Sequence, residues 1–238
     1  MDKYSLNARI YPIVILLFPL VIIGISYSFE YESYLQVLST LGVSAALTYL
    51  LSNLGRDKGK QKEPDLWKKW GGMPTVQLLS FTNELIDKHT KRKYHKILLE
   101  LSPIEEKVID FENVSLDSVS DIYKSWTKYL ISKTRDTKQF SLLFKENISY
   151  GFRRNLWGLK NISLVFISLV LIGNYAFQVF NYGMTDFQNY PIQFFISELL
   201  LLILTLIWLF WINSEWIKIP AFAYGERLLE SIEKINAA

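Results

Sequence analysis

Four long apolar blocks are the feature that most constrains how this 238-residue chain can fold. They cover residues 10–29, 33–54, 161–185 and 189–213, and Glu198 is the only charged residue within them. An α-helix rises about 1.5 Å per residue, so roughly 20 apolar residues cross the roughly 30 Å hydrocarbon core of a bilayer. The sequence therefore predicts four transmembrane helices.

The predicted fold is an all-α integral membrane protein with a helical cytoplasmic domain inserted between transmembrane helices 2 and 3. In order, the predicted parts are transmembrane helices 1 and 2 in residues 1–54, the basic helical domain in 55–160, transmembrane helices 3 and 4 in 161–213, and a C-terminal helix in 214–238.

Helical spacing of apolar residues predicts the elements of the middle domain. One long helix is expected over residues 75–101 and another around 116–130, while residues 139–159 are expected to continue into the third transmembrane helix. The run Ser102, Pro103, Ile104, Glu105 matches a capping box with proline at the first helical position, so it predicts a further helix start. No segment indicates a strand.

The distribution of basic residues predicts the orientation in the membrane. Residues 55–160 hold 21 of the 26 Lys and Arg residues, whereas loops 30–32 and 183–191 hold none. Because cytoplasmic segments carry the excess of Lys and Arg, both termini and the middle domain are expected in the cytoplasm. The expected location is the inner membrane of a bacterium, and a basic domain there should attract anionic lipids, nucleotides or nucleic acid.

The second apolar block carries polar residues at every fourth position, and such residues share one helix face. One interpretation is a pore-lining wall, because hydroxyl and amide oxygens can replace part of an ion's hydration shell. The alternative is a packing seam, since small and hydroxylated residues let membrane helices approach closely. The pore-lining candidates are this stripe together with the intramembrane carboxylate: Gln36, Thr40, Ser44, Thr48, Ser52 and Glu198.

Glu198 itself has two interpretations. An ionisable residue inside a membrane helix is costly and is often functional. It could also be a protonated carboxyl hydrogen-bonded to a neighbouring helix.

No pattern indicates catalysis, a cofactor or a metal site. The chain has no cysteine, no Gly-rich phosphate loop and no known catalytic motif. His89 and His95 are six residues apart, which places them about 120° apart around a helix. We therefore predict that the protein is not an enzyme.

A basic and aromatic stretch directly after the second apolar block is the strongest candidate for ligand binding. Proteins bind single-stranded nucleic acid with this combination of side chains: the cations contact the backbone phosphates, and the aromatic rings stack on the bases. Basic residues and tryptophans at this position also bind anionic lipid or anchor a helix end, and both interpretations stay open. With later basic clusters, the candidates are Arg56, Lys58, Lys60, Lys62, Trp67, Lys68, Lys69, Trp70, Lys91, Arg92, Lys93, Arg153 and Arg154.

Three blocks of residues resemble a family of bacterial multi-span membrane proteins, and also the membrane effectors of the Hailong anti-phage defence system. The blocks lie within residues 56–67, 70–75 and 149–156, all of them in the expected cytoplasmic domain. The resemblance implies an oligomeric ion channel whose cytoplasmic part binds a short single-stranded DNA oligomer made by a partner nucleotidyltransferase. It further implies that loss of this DNA opens the pore and kills or arrests the infected cell.

The sequence thus leads to one main hypothesis and two alternatives. The main one is a homo-oligomeric channel or pore-forming effector gated by an anionic ligand, because four-span subunits enclose water only by assembling around an axis. The first alternative is a non-conducting adaptor that binds lipid or a protein partner. The second is a membrane enzyme acting on lipid phosphates, with Arg56, Arg153 and Arg154 holding the phosphate.

Overall fold

The structure, a computed structural model, describes the chain except for residues 1, 31–33, 104–109 and 238. The side chains of residues 29, 30 and 34–36 are likewise outside the description. Every regular element in the described part is helical and none is a strand, which confirms the all-α prediction. The predicted helix start at Ser102–Glu105 runs into the undescribed residues.

Nine α-helices, numbered here in chain order, make up the described part. They are α1 (Tyr11–Glu30), α2 (Tyr34–Leu50), α3 (Leu54–Trp70), α4 (Pro74–Leu79), α5 (Lys88–Leu101), α6 (Leu116–Lys133), α7 (Ser141–Tyr182), α8 (Ile192–Leu206) and α9 (Ser214–Asn236). Short π-helical segments precede α1 at Ser5–Ile10 and follow α8 at Ile207–Trp211.

The helices form two compact units. Unit 1 consists of residues 1–62 and 151–216, and unit 2 consists of residues 63–150 and 217–238. These limits differ from the predicted domains, because residues 55–62 and 151–160 pack with the apolar helices and the C-terminal helix packs with the middle domain.

Three helical stretches of the described chain are long and apolar enough to cross a membrane: Ser5–Ser28, Ser141–Tyr182 and Ile192–Trp211. They cover most, though not all, of the predicted first, third and fourth transmembrane helices. The predicted second one is shorter than expected, because α2 has 17 residues and rises only about 26 Å. A turn then leads into α3, and the two helical stretches meet at 47°.

Unit 1 is held together by apolar side chains of α1, α7 and α8. Its fully buried members include Ile13 on α1, Leu159 and Ile167 on α7, and Leu201 on α8. Trp208, in the π-helical segment after α8, is also completely buried. Fully burying one such side chain stabilises the fold by about 1.5–3 kcal/mol.

Unit 2 has its own apolar core, built mainly on α6. Tyr123, Trp126 and Leu130 of α6 are fully buried and share this core with Leu98 of α5 and Leu229 of α9. Burial of Trp126 and Leu130 agrees with the helical spacing that predicts α6.

The predicted helix over residues 75–101 is wrong, because the structure breaks it into α4 and α5. The intervening segment turns at Ser80–Asn83. A new helix then begins after Asp87, whose carboxylate accepts a hydrogen bond from the backbone N–H of Thr90 at 2.9 Å. This side-chain cap stabilises a helix start, so the local chemistry overrides the continuous apolar pattern.

Candidate functional site

The basic stretch after the second apolar block folds as a helix, α3, and ends in a glycine turn. Gly71 and Gly72 have φ angles of 87° and 137°, a region that favours glycine. Pro74 then opens α4 as its first residue, where its missing N–H costs nothing. The cationic side chains predicted to bind a ligand therefore project from a regular helix.

Within unit 1, α3 crosses α7 at very short range through glycines. A Cβ added to Gly158 would lie 2.7 Å from the Cα of Gly59, and one added to Gly59 would lie 2.9 Å from the Cα of Asn155. A Cβ added to Gly55, four residues before Gly59, would lie 3.2 Å from Cδ1 of Leu159. This crossing fixes the first half of α3 against α7.

The first half of α3 carries four of the predicted ligand-binding cations. Lys60 is exposed, while Arg56, Lys58 and Lys62 are half-buried. The Nζ of Lys62 lies 5.4 Å from the ring centroid of Trp157, a cation–π contact. Neither Arg56 nor Lys60 forms an ion pair with any described residue. Lys60 is the exposed member of these four predicted ligand-binding cations.

Arg153 and Arg154, also predicted to bind the ligand, hold the fold of unit 1 instead. Arg153 donates a hydrogen bond to the carbonyl oxygen of Trp216 at 2.7 Å, and its guanidinium lies 4.8 Å from the Trp216 ring centroid. Arg154 is buried and donates to Oδ1 of Asn155, which in turn donates to the carbonyl oxygen of Ala8. Arg154 is therefore removed from the predicted ligand site.

The second half of α3 belongs to unit 2 and exposes two cations. Lys68 and Lys69 are exposed, so they remain candidates for an anionic ligand. Trp70 is buried and its ring meets Phe222 edge-on, with centroids 6.4 Å apart. A buried ring cannot stack on a base, so Trp70 is removed from the site, while Trp67 is half-buried.

The cluster Lys91 to Lys93 on α5 is engaged within unit 2. Lys91 is only 1% exposed, and its ammonium group donates hydrogen bonds to the carbonyl oxygens of Ser80 and Asn83. Burial lowers its pKa from the usual value. Arg92 and Lys93 are paired with Glu112 and Glu233. Lys91 therefore stabilises the turn between α4 and α5, and it is unavailable to a ligand.

His95 lies one turn after Lys91 in an aromatic environment. Its ring nitrogens contact the carbonyl oxygen of Lys91 at 2.7 Å and the hydroxyl of Tyr123 at 3.1 Å. Burial lowers the pKa of His95 and raises that of Tyr123. His89 is exposed, and no group of metal-ligating side chains occurs in the described chain.

The polar stripe of the second apolar block lies partly against α1. A Cβ added to Gly24 of α1 would overlap the side chain of Thr40, and Thr48 is buried. Ser44 is half-buried, and Ser52 falls in the turn after α2 rather than on the helix. Gln36 is on α2, but its side chain is outside the described part. This placement is the one expected for a packing seam.

Glu198 belongs to a polar cluster that links three helices of unit 1. Its Oε1 accepts a hydrogen bond from Nδ2 of Asn174 at 2.8 Å. Oδ1 of Asn174 accepts a hydrogen bond from the hydroxyl of Tyr27 at 2.7 Å. The same hydroxyl accepts one from Nε2 of Gln178 at 2.6 Å. We call the residues Tyr27, Asn174, Gln178, Ser197 and Glu198 the intramembrane polar cluster.

Two features of the site were not predicted from the sequence, although short motifs carry them. Asn174 and Gln178 are four residues apart in the third apolar block, so they share a helix face. Gly55 and Gly59 form the small-xxx-small spacing that lets helices approach closely. Both patterns are visible in the sequence, but their partner helices are not.

The fold and these clusters define a class: an all-helical protein with three helices that could span a membrane, consistent with a membrane protein. Comparisons with protein-family models, with curated proteins and with solved structures find no significant match.

Proposed function

We propose that the protein is a homo-oligomeric channel or pore-forming effector of the bacterial inner membrane, gated by an anionic ligand. In this proposal all four apolar blocks span the bilayer, both termini are cytoplasmic, and residues 55–160 form the cytoplasmic domain. The short α2 spans by local thinning of the bilayer. The observation that carries the proposal is the intramembrane polar cluster, since ionisable side chains inside membrane helices mark ion pathways.

Assembly of several copies follows from how Glu198 is placed. The side chain is half-buried on α8, where neighbouring residues such as Leu199 and Leu202 are more than half exposed. A single copy has too few helices to surround a water-filled path. Copies that meet around an axis would bring several Glu198 carboxylates to one pathway and cover part of the exposed apolar surface.

A route for gating exists within unit 1. The glycine crossing ties the first half of α3 to Gly158 of α7, and Asn174 lies about 24 Å further along the same helix. An anion bound near Arg56 and Lys60 would act on α3, and a shift of α7 would move the donor that holds Glu198. The ligand gates the pore if its affinity for the open and closed states differs.

The ligand in this proposal is a short single-stranded DNA oligomer. In unit 2, exposed Lys68 and Lys69 offer charges for phosphates, and the half-buried Trp67 offers the remaining tryptophan ring. In unit 1, the exposed Lys60 offers a further charge. The resemblance to Hailong effectors suggests that a partner nucleotidyltransferase makes the oligomer. It also suggests a role in anti-phage defence through membrane depolarisation.

The conduction experiment uses the full-length protein reconstituted in a planar bilayer. We expect stepwise ion currents that change when a short single-stranded DNA is added to the side carrying residues 55–160. Protein that is heat-denatured before reconstitution is the control. Silent bilayers both with and without DNA would contradict the channel.

The ligand experiment compares two charge-reversed double variants by the fluorescence anisotropy of a labelled single-stranded DNA. Lys68→Glu/Lys69→Glu should weaken binding. The slope of the logarithm of the binding constant against the logarithm of the salt concentration should become shallower by about 0.7 for each phosphate that the variant no longer neutralises. Lys138→Glu/Lys145→Glu changes two exposed lysines of the same unit by the same charge, and it should bind nearly as the wild type does. Equally weakened binding in both variants would mean that net charge alone controls binding.

A non-conducting lipid-binding adaptor is the second candidate, and one observation favours it. Exposed Lys60 follows α2 within a few turns, the position at which basic residues bind anionic lipid at about 1 kcal/mol each. This function predicts silent bilayers together with binding to anionic vesicles that depends on Lys60. The lipid-phosphate enzyme is less well supported, because Arg153 and Arg154 are engaged within unit 1.

A further inference from the structure

Glu198 is the sole charge within the four apolar blocks, and it is placed deep in the candidate span. It lies about 9 Å along the helix axis from Ile192, where α8 begins. No Lys or Arg among the described residues forms an ion pair with it. An ionised Glu198 would therefore not be neutralised by a basic side chain within the described part of one copy.

The intramembrane polar cluster holds this carboxyl group in a defined position. Nδ2 of Asn174 donates both to Oε1 of Glu198 at 2.8 Å and to Oγ of Ser197 at 3.1 Å. Tyr27 fixes the other end of the Asn174 amide by donating to its Oδ1. Asn174 and Ser197 are both buried, so the amide is held from α1, α7 and α8 at once. Oε2 of Glu198 has no hydrogen-bond partner among the described residues.

A second group in the same cluster points independently to a ligand with positive character. Gln178 is completely buried, and its Oε1 has no hydrogen-bond partner within the described chain. Leaving a buried acceptor unpaired is unfavourable. Both Gln178 and Glu198 thus present an oxygen atom that lacks a partner among the described residues, and hard cations prefer carboxylate and amide oxygens as ligands.

We infer that Glu198 makes the conduction pathway selective for cations over anions and that Asn174 is its positioning residue. This inference rests on the proposed channel function and adds the class of ion that passes. A carboxylate in a narrow, weakly polar passage attracts cations and repels anions, because little water screens its charge. Several copies around one axis would form the acidic ring that is typical of cation channels.

The test measures reversal potentials of the full-length protein in planar bilayers under a tenfold KCl gradient. The wild type should pass K⁺ at least about tenfold better than Cl⁻. Glu198→Gln keeps the size and the acceptor for Asn174 but removes the charge, so its K⁺ to Cl⁻ permeability ratio should fall to near one. Glu198→Asp keeps the charge and should keep most of the selectivity.

Two further variants separate a local effect from a general one. Asp186→Asn removes a carboxylate from the loop before α8, where it accepts a hydrogen bond from Asn189, and it should leave the permeability ratio unchanged. Asn174→Leu leaves the charge but removes the donor that positions it, so the ratio should fall partway while size-exclusion chromatography reports the same assembly. A structural role alone would change the yield or assembly of this variant and not its ion preference.

The outcomes distinguish this inference from the function on which it rests. A wild type that conducts but prefers anions, or a Glu198→Gln variant with wild-type selectivity, overturns the inference and leaves the channel intact. A wild type that never conducts, with or without DNA, overturns both.

Discussion

Replacing Gly158 with alanine tests the α3–α7 crossing most directly. The added Cβ would lie 2.7 Å from the Cα of Gly59 and 2.8 Å from the carbonyl carbon of Lys58. Carbon atoms in contact normally lie about 3.5–4.0 Å apart, so the two helices would have to separate by about 1 Å. Both clashing atoms belong to the backbone and cannot rotate away. Such overpacking costs about 1–3 kcal/mol.

Gly173→Ala is the matched control, since it is the same substitution on the same helix. No atom lies within 4 Å of a Cβ added to Gly173. Alanine favours a helix interior over glycine by about 1 kcal/mol, and this gain applies to both variants. The difference between them therefore isolates the crossing, and we expect Gly158→Ala to be about 1–3 kcal/mol less stable than Gly173→Ala.

Thermal unfolding in detergent can measure this difference through tryptophan fluorescence, because the chain has 7 tryptophans. For a domain of this size 1 kcal/mol corresponds to about 2–4 °C, so the two melting temperatures should differ by about 2–12 °C. Gly59→Ala should be destabilised in the same direction, because its Cβ meets the Cα of Asn155 at 2.9 Å. Equal melting temperatures of Gly158→Ala and Gly173→Ala would refute the close crossing.

Two further predictions concern unit 2. Lys91→Met should destabilise the protein by about 2–5 kcal/mol, because the carbonyl oxygens of Ser80, which is buried, and Asn83, which is half-buried, lose their donor. Substitution of the exposed Lys96 by Met should change the melting temperature little. Burial lowers the folded-state pKa of His95, so the unfolded chain binds its proton first and stability should fall as pH drops below about 6.5. His95→Phe should remove this slope in pH-dependent melting, and His89→Gln should retain it. A slope unchanged in His95→Phe would assign it to another group.

Periodic patterns in the sequence were reliable where one residue type dominates a helix face. The apolar spacing over residues 139–159 predicts a helix that continues into the third apolar block, and α7 runs without interruption from Ser141 to Tyr182. The spacing around Trp126 likewise predicts the buried face of α6. These predictions succeed because burial of an apolar face depends mainly on the helix itself.

Predictions that depend on a partner from elsewhere in the chain were less successful. Asp87 caps α5 and ends the expected long helix, although the apolar pattern continues past it. Lys91 resembles a solvated cation in the sequence, because its acceptors, the carbonyls of Ser80 and Asn83, are created only by that turn. Thr40 fits a pore wall and a seam equally well until Gly24 of α1 is found opposite it.

The same distinction narrows the proposed ligand site. Net charge attracts an anion at long range, but binding depends on cations that remain free to contact it. Lys91 and Arg154 are buried, while Arg92, Lys93 and Arg153 are held by partners in their own units. Of the predicted ligand-binding cations, Lys60 in unit 1 and Lys68 and Lys69 in unit 2 therefore remain exposed candidates for short-range contact, and Arg56 is half-buried. Since α3 combines the exposed Lys60 with the glycine crossing to α7, it is the helix on which ligand binding and gating would be coupled in this proposal.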